Sequence, residues 1–394
     1  MDIDDGMKAR EGGWDAFGVP RRTIVKGAAW SIPIIATAVA LPGASASSGC
    51  QTVTFEAPAL DPTSPEGVTT TFIVPAGVTK LGFAVAGGGG GGGSDPLVNG
   101  TGDNINPFRE GGSGGLVTGE MSVTPGQALT LIVGQGGELP ITTDEGTKLG
   151  GRGYGNGGDA LRVATNPPAT TLTGTITGGS GGGGSAILVG NVPLIVSGGG
   201  GGAGSKIVRR QDPVPWTATG GAGGAANSDS EDYTLTFPPN FSATGTGGGG
   251  AVGATPGAGG AVPPTPSPYQ PGFPLRGGSA GSGRNGANGN PVQALGEAGG
   301  QVFLNFSASS GGGGGGYAGG GSGGAVASAH WTGAPPAEVI GVVGGPGGGG
   351  SNYVAAGFGG VTVLESTQGL AANGGEQNTV RPAGWITLSY QLCV

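Results

Sequence analysis

Residues 81–93 read Leu81-Gly82-Phe83-Ala84-Val85-Ala86 and then an unbroken glycine run from Gly87 to Gly93. Leu81, Phe83 and Val85 alternate with smaller residues, the period-two pattern of a strand with one buried face. The glycines that follow have no side chain to bury. The strand signal recurs elsewhere: Leu129, Leu131 and Val133 keep the same spacing, and Ile386, Leu388, Tyr390 and Leu392 alternate with Thr387, Ser389 and Gln391. Residues 69–74 add β-branched side chains without proline, and Thr124-Pro125-Gly126 marks a turn into the next strand. The chain is predicted to be all-β, with no significant α-helix outside an amino-terminal signal segment.

Glycine supplies 98 of the 394 residues, against an average near 7%. Collagen needs glycine at every third position. The unbroken runs Gly198 to Gly202, Gly247 to Gly250 and Gly311 to Gly316 exclude it. Two readings remain, a flexible linker and an ordered glycine lattice on a β scaffold. Disordered chains are rich in charge and poor in β-branched and aromatic residues, whereas this one is 10% charged and 35% hydrophobic. Ordering glycine costs more backbone entropy than ordering any other residue. One way to recover it is a left-handed three-residue helix rising about 3.1 Å per residue, so that seven glycines span roughly 22 Å. Such helices bond only to neighbours, and a chain with many runs can supply them.

Residues 1–46 read as an export address. Arg21-Arg22-Thr23-Ile24-Val25-Lys26 precedes a weakly apolar stretch from Gly27 to Leu41, which closes with Pro42-Gly43-Ala44-Ser45-Ala46. A basic region, an apolar region and a small-residue site in that order make a secretory signal. The paired arginines and Lys26 resemble a twin-arginine signal cleaved after Ala46, its small residues at Ala44 and Ala46. An ordinary Sec signal, an uncleaved anchor and a lipoprotein site at Cys50 are the alternatives. The stretch is shorter than the roughly 20 residues of a membrane helix, Pro33 interrupts it, and Ser47 stands where a lipobox has leucine. The domains are therefore 1–46, signal, and 47–394, glycine-rich, with localisation outside the cytoplasmic membrane.

That cleavage removes 5 of the 16 basic and 5 of the 24 acidic residues, leaving 11 and 19. An acidic surface disfavours nucleic acid, whose binding neutralises phosphates with Lys and Arg. No second apolar stretch approaches a membrane span.

Several spaced motifs resemble a known family. They are Val74-Pro75-Ala76-Gly77-Val78-Thr79 followed by residues 81–93, and Leu116-Val117-Thr118-Gly119 after two glycines. Leu129 to Glu138, residues 181–202, 311–324 and 344–351, and the final strand 384–390 continue the series. In order, they resemble the extracellular glycine-rich region of anaplastic lymphoma kinase and leukocyte tyrosine kinase. The resemblance covers about residues 51 to 394. It implies a TNF-like β-sandwich joined to a bundle of polyglycine II helices, and it carries over no ligand-binding residue. The cysteine-rich module, membrane span and kinase of that family have no counterpart here.

Cys50 shares a strand face with Thr52 and Thr54, and Cys393 shares one with Thr387, Ser389 and Gln391. A disulfide between Cys50 and Cys393 is expected if these terminal strands pair, and export permits it; two free thiols are the alternative.

Catalytic motifs carry little weight against this composition. With glycine at one position in four, G-x-G-x-x-G arises about six times by chance. G-x-S-x-G around Ser113, Ser180, Ser279 and Ser322 is equally uninformative. His330, the only histidine, sits in a segment that reads as a surface loop. No zinc site, P-loop or EF-hand spacing is present, and the acidic group Asp212, Asp229, Glu231 and Asp232 reads as a solvated loop. No enzyme activity, metal or cofactor is expected. Aromatic residues on glycine-rich loops are the candidates for contact with an extracellular glycan or protein: Trp216, Tyr233, Trp331 and neighbouring His330, with Tyr269, Tyr317 and Tyr353 behind them. The expected role is structural or adhesive, with a specific binding module as the alternative.

Overall fold

The computed structural model describes residues 51–56, 67–93, 97–99, 109–138, 147–162, 171–175, 177–210, 217–219, 222–237, 241–265, 274–298, 302–332, 337–356, 362–365 and 383–392. All belong to the unit Ser48–Val394. No helix is found among them, and the chain is all-β. The signal residues Arg21, Arg22, Lys26, Ala44 and Ala46, both cysteines, and Trp216 lie outside the described residues.

The strands run in order as β1 (Gln51–Glu56), β2 (Val68–Ile73), β3 (Lys80–Ala86), β4 (Leu97–Asn99), β5 (Gly115–Ser122), β6 (Ala128–Val133) and β7 (Thr171–Thr175). Then come β8 (Ser185–Val189), β9 (Val192–Ser197), β10 (Ser205–Arg210), β11 (Thr217–Thr219), β12 (Tyr233–Phe237), β13 (Phe241–Gly245) and β14 (Leu275–Arg276). The last are β15 (Pro291–Ala298), β16 (Val302–Ser309), β17 (Ala325–Thr332), β18 (Ala337–Gly344), β19 (Tyr353–Val354), β20 (Thr362–Glu365) and β21 (Trp385–Leu392).

Two antiparallel sheets, β1-β21-β3-β5-β20 and β19-β9-β8-β6-β2, share one core. Leu81, Phe83, Val85, Val117, Ile386 and Leu388 from the first meet Phe72, Leu129, Leu131, Ile187 and Ile195 from the second. The alternation visible in β3, β6 and β21 is therefore the alternation of a sandwich, its inward side chains buried and its polar ones outward. β1 and β21 pair antiparallel from Glu56↔Thr387 to Gln51↔Leu392, so the terminal strands do adjoin.

Glycine segments leave one end of this sandwich together. Ala86, the last residue of β3, lies opposite both Leu116 and Trp385, and Ser185 lies opposite Ser197. The segments run to a second group of sheets, β14-β17-β18-β10-β4, β15-β16-β7 and β11-β12-β13. There Ser205 and Ala325 both lie opposite Gly344. A stretch such as 198–204 thus leads from β9 in one body to β10 in the other.

Between the bodies the backbone bonds to itself. Gly199 and Gly202 donate to Gly315 and Gly312, Gly200 and Ala203 to Gly88 and Gly91, and Gly201 to Gly224. Their carbonyls accept in the same rhythm. Gly199 and Gly202 receive from Gly350 and Gly347, Gly200 and Ala203 from Gly182 and Gly179, Gly198 and Gly201 from Gly115 and Gly112. N···O distances in this set are 2.7–3.0 Å. The direction of bonding repeats every three residues, and six other segments surround this one. At the glycines that closeness excludes a side chain. A Cβ at Gly202 would overlap the carbonyl of Gly179, and one at Gly200 that of Gly112.

Serines join lattice to sheet. The Ser185 hydroxyl donates to the Ala86 carbonyl at 2.6 Å and accepts from the Gly134 amide at 2.9 Å. Ser197 accepts from the Gly87 amide at 3.1 Å, and Ser205 donates to the Ser309 carbonyl at 2.7 Å. Where ladder bonding ends and lattice bonding begins, a buried hydroxyl satisfies the backbone group that belongs to neither.

Candidate functional site

Tyr233 is not a surface aromatic. It opens β12 and is fully buried, with its hydroxyl 2.9 Å from the Lys206 ammonium and 3.5 Å from Arg109 Nε, both donating to it. Lys206 Nζ and Arg109 Cζ stand 5.4 and 5.2 Å from the centroid of its ring. Lys206 is itself only 1% exposed. A buried ammonium needs polar partners, and the phenol oxygen supplies one. Tyr233 therefore braces the lattice end, where a ligand at the surface does not reach it.

His330 and Trp331 are in strand, not in a loop. Both lie on β17, opposite Val339 and Glu338 of β18. The acidic residues Asp229, Glu231 and Asp232 are exposed and lie outside strand, between β11 and β12, as expected of a solvated loop, and Asp212 lies outside the described residues. Asp229 and Asp232 are occupied by backbone donors. Their Oδ1 atoms accept from the Gly250 amide at 2.7 Å and the Gly247 amide at 2.8 Å. Asn285 and Asn288 do the same for Asn156 and Asp159 at 3.0 and 2.9 Å. In both pairs the spacing is three residues on each side, the lattice repeat. Short side-chain oxygens complete the bonding of outer rows that have no further glycine segment beside them.

Tyr317 and Tyr353 stack with ring centroids 4.0 Å apart and planes 11° from parallel. With Tyr154 they pack on Ala186, Leu188 and Val196 of the second sheet. These residues belong to the outer face, which a two-layer sandwich would leave wet. Arg284, at the tip of the turn Ser282–Asn285, stands 4.2 Å over the Tyr154 ring. Burial raises the Tyr154 hydroxyl above its ordinary value, and Arg284 partly opposes this. The hydroxyl is buried without a hydrogen-bond partner among the described residues. No sequence pattern marks Tyr154, because it lies alone in a glycine stretch.

On the outer face of the first sheet, Thr54, Ser389, Gly82 and Glu120 stand opposite one another across β1, β21, β3 and β5. In the adjacent row Thr52 faces Gln391, and Lys80 faces Ser122. Gly82 has no side chain where its neighbours do, and a groove of about 480 Å³ opens there. Thr52, Lys80, Gly82, Glu120, Ser389 and Gln391 line it. The Lys80 and Glu120 side chains bond to no described residue. A Cβ at Gly82 would lie 2.5 Å from Ser389 Oγ, so the Ser389 hydroxyl leans over the bare glycine and would have to turn aside for any other residue.

Comparison with protein-family models finds no match, and a search of curated proteins finds none either.

Proposed function

We propose that the chain is an exported, non-enzymatic glycine-rich protein of the cell envelope or exterior, with a structural or adhesive role. One observation carries the reading: residues 198–204 are bonded backbone to backbone to six other segments. A rod of that kind joins two β bodies at a fixed spacing and offers proteases no side chains along its interior. The three-residue bonding period also supports reading the segments as polyglycine II helices, whose repeat is three residues. The reading takes over from the resemblance to the receptor glycine-rich region a TNF-like form for the sandwich. The address for export is Arg21-Arg22 with Lys26 and the Ala44-Ser45-Ala46 site.

Fractionation of a bacterial host expressing the full chain tests the reading, together with amide hydrogen exchange of residues 47–394. The expected result is a mature chain outside the cytoplasmic membrane that begins after Ala46, is retained inside by Arg21→Lys/Arg22→Lys, and has slowly exchanging Gly199 to Gly202. An intact amino terminus in the cytosol removes the envelope role, and rapid exchange at those glycines removes the rod.

A second reading, a specific glycan- or protein-binding module, is favoured by the polar groove over Gly82.

A further inference from the structure

We propose that the groove over Gly82 is a saccharide-binding site. The inference rests on the binding-module reading and not on the structural one. Its volume, about 480 Å³, falls in the range of small-molecule sites, roughly 300–1,000 Å³. Four adjacent strands hold Thr52, Lys80, Gly82, Glu120, Ser389 and Gln391 in consecutive cross-strand rows, and Gly77, Val78 and Thr79 of the β2–β3 connection complete the lining. Sites on regular elements keep their geometry better than sites on loops.

The lining selects the ligand class. Thr52 and Ser389 offer hydroxyls that donate and accept, Gln391 offers an amide that does both, Lys80 only donates and Glu120 only accepts when ionised. One positive and one negative group give no preference for net charge. A phosphate-bearing ligand would meet one cation and one repelling carboxylate, and an apolar ligand would strand the polar rim without partners. A sugar presents adjacent hydroxyls that donate and accept together, which this mixture can satisfy.

The test uses the mature chain, residues 47–394, on an array of immobilised neutral oligosaccharides, followed by calorimetric titration of whichever of them bind. Glu120→Ala and Gln391→Ala remove exposed groups, so folding is not at stake, and Gly82→Val fills the floor. Asn191→Ala, on the exposed β8–β9 turn, is the control. The expected result is selective binding weakened about tenfold or more by Glu120→Ala, as the loss of a hydrogen bond to a charged group implies, and unchanged by Asn191→Ala. Glu120→Ala and Gln391→Ala binding as well as the parent overturns the site while leaving a binding module elsewhere. Binding to no array member overturns the ligand class.

Discussion

Gly202 donates its amide proton to the carbonyl of Gly312 at 2.7 Å, while its own carbonyl accepts from Gly347 at 2.8 Å. A methyl group at Gly202 would overlap the carbonyl of Gly179, a backbone atom that cannot turn aside. Gly202→Ala is therefore expected to cost about 3 kcal/mol or more, at the upper end of overpacking. Gly77 is the contrast. Its φ is +80° and a Cβ there meets nothing within 4 Å, so Gly77→Ala should cost only the left-handed strain, about 1–2 kcal/mol. Denaturant unfolding of the two variants checks the order.

Lys206 and Tyr233 are expected to be coupled. Tyr233→Phe removes the oxygen 2.9 Å from a buried ammonium, at a cost of about 1.5–3 kcal/mol for a hydrogen bond to a charged group. Lys206→Met/Tyr233→Phe should cost less than the two single changes added, because no ammonium is then left short of an acceptor. Strict additivity in a double-mutant cycle would contradict the pairing.

Tyr154 predicts a loss of stability in alkali. Burial holds its folded-state value above the ordinary 10.0. The folded chain therefore keeps a proton that the unfolded chain releases. This contribution is complete below about pH 10 and is lost as pH rises through the higher folded-state value. Tyr154→Phe should flatten the decline of the melting temperature above about pH 10. At neutral pH it should be neutral or stabilising by up to about 1 kcal/mol, since it deletes a buried hydroxyl without a partner. An unchanged alkaline decline in the variant would assign that loss to other groups.

The terminal strands predict a bridge. The described register ends at Gln51↔Leu392, and one further step along each strand reaches Cys50 and Cys393 in the sequence. Exported protein should take up no thiol reagent until it is reduced. Cys50→Ser should lower stability by roughly 2–5 kcal/mol, the usual cost of a native disulfide. Uptake of reagent by two thiols in unreduced, unfolded exported protein would rule the bridge out.

The strands of the sandwich were legible because their burial is one-sided. Leu81, Phe83 and Val85 are each under 5% exposed, as are Leu129, Leu131 and Val133, and such a face leaves a period of two in the sequence. The second body was not legible in the same way. β17 reads Ala325-Val326-Ala327-Ser328-Ala329-His330-Trp331-Thr332, small residues without clear alternation, so His330 and Trp331 looked like loop. Tyr233 looked exposed because nothing local announces Lys206 or Arg109, which reach it from β10 and from the residue paired with Gly93. The groove at Gly82 was hidden for another reason. Its lining comes from four strands whose order, β1-β21-β3-β5, no local pattern states.

By itself the sequence determined the alternation of strand and glycine run, the face each sandwich strand buries, and the absence of side chains along the runs. The tertiary structure alone decided which run lies beside which. Every glycine offers one donor, one acceptor and no shape of its own, so one run is chemically indistinguishable from the next. Neighbours and register are chosen instead at the ends, where β3, β8, β9, β10, β17 and β18 bring each run in at a fixed height. Buried serines such as Ser185 and Ser205 lock it there. Those contacts join residues far apart in the chain, and they exist only once the sheets on both sides have formed.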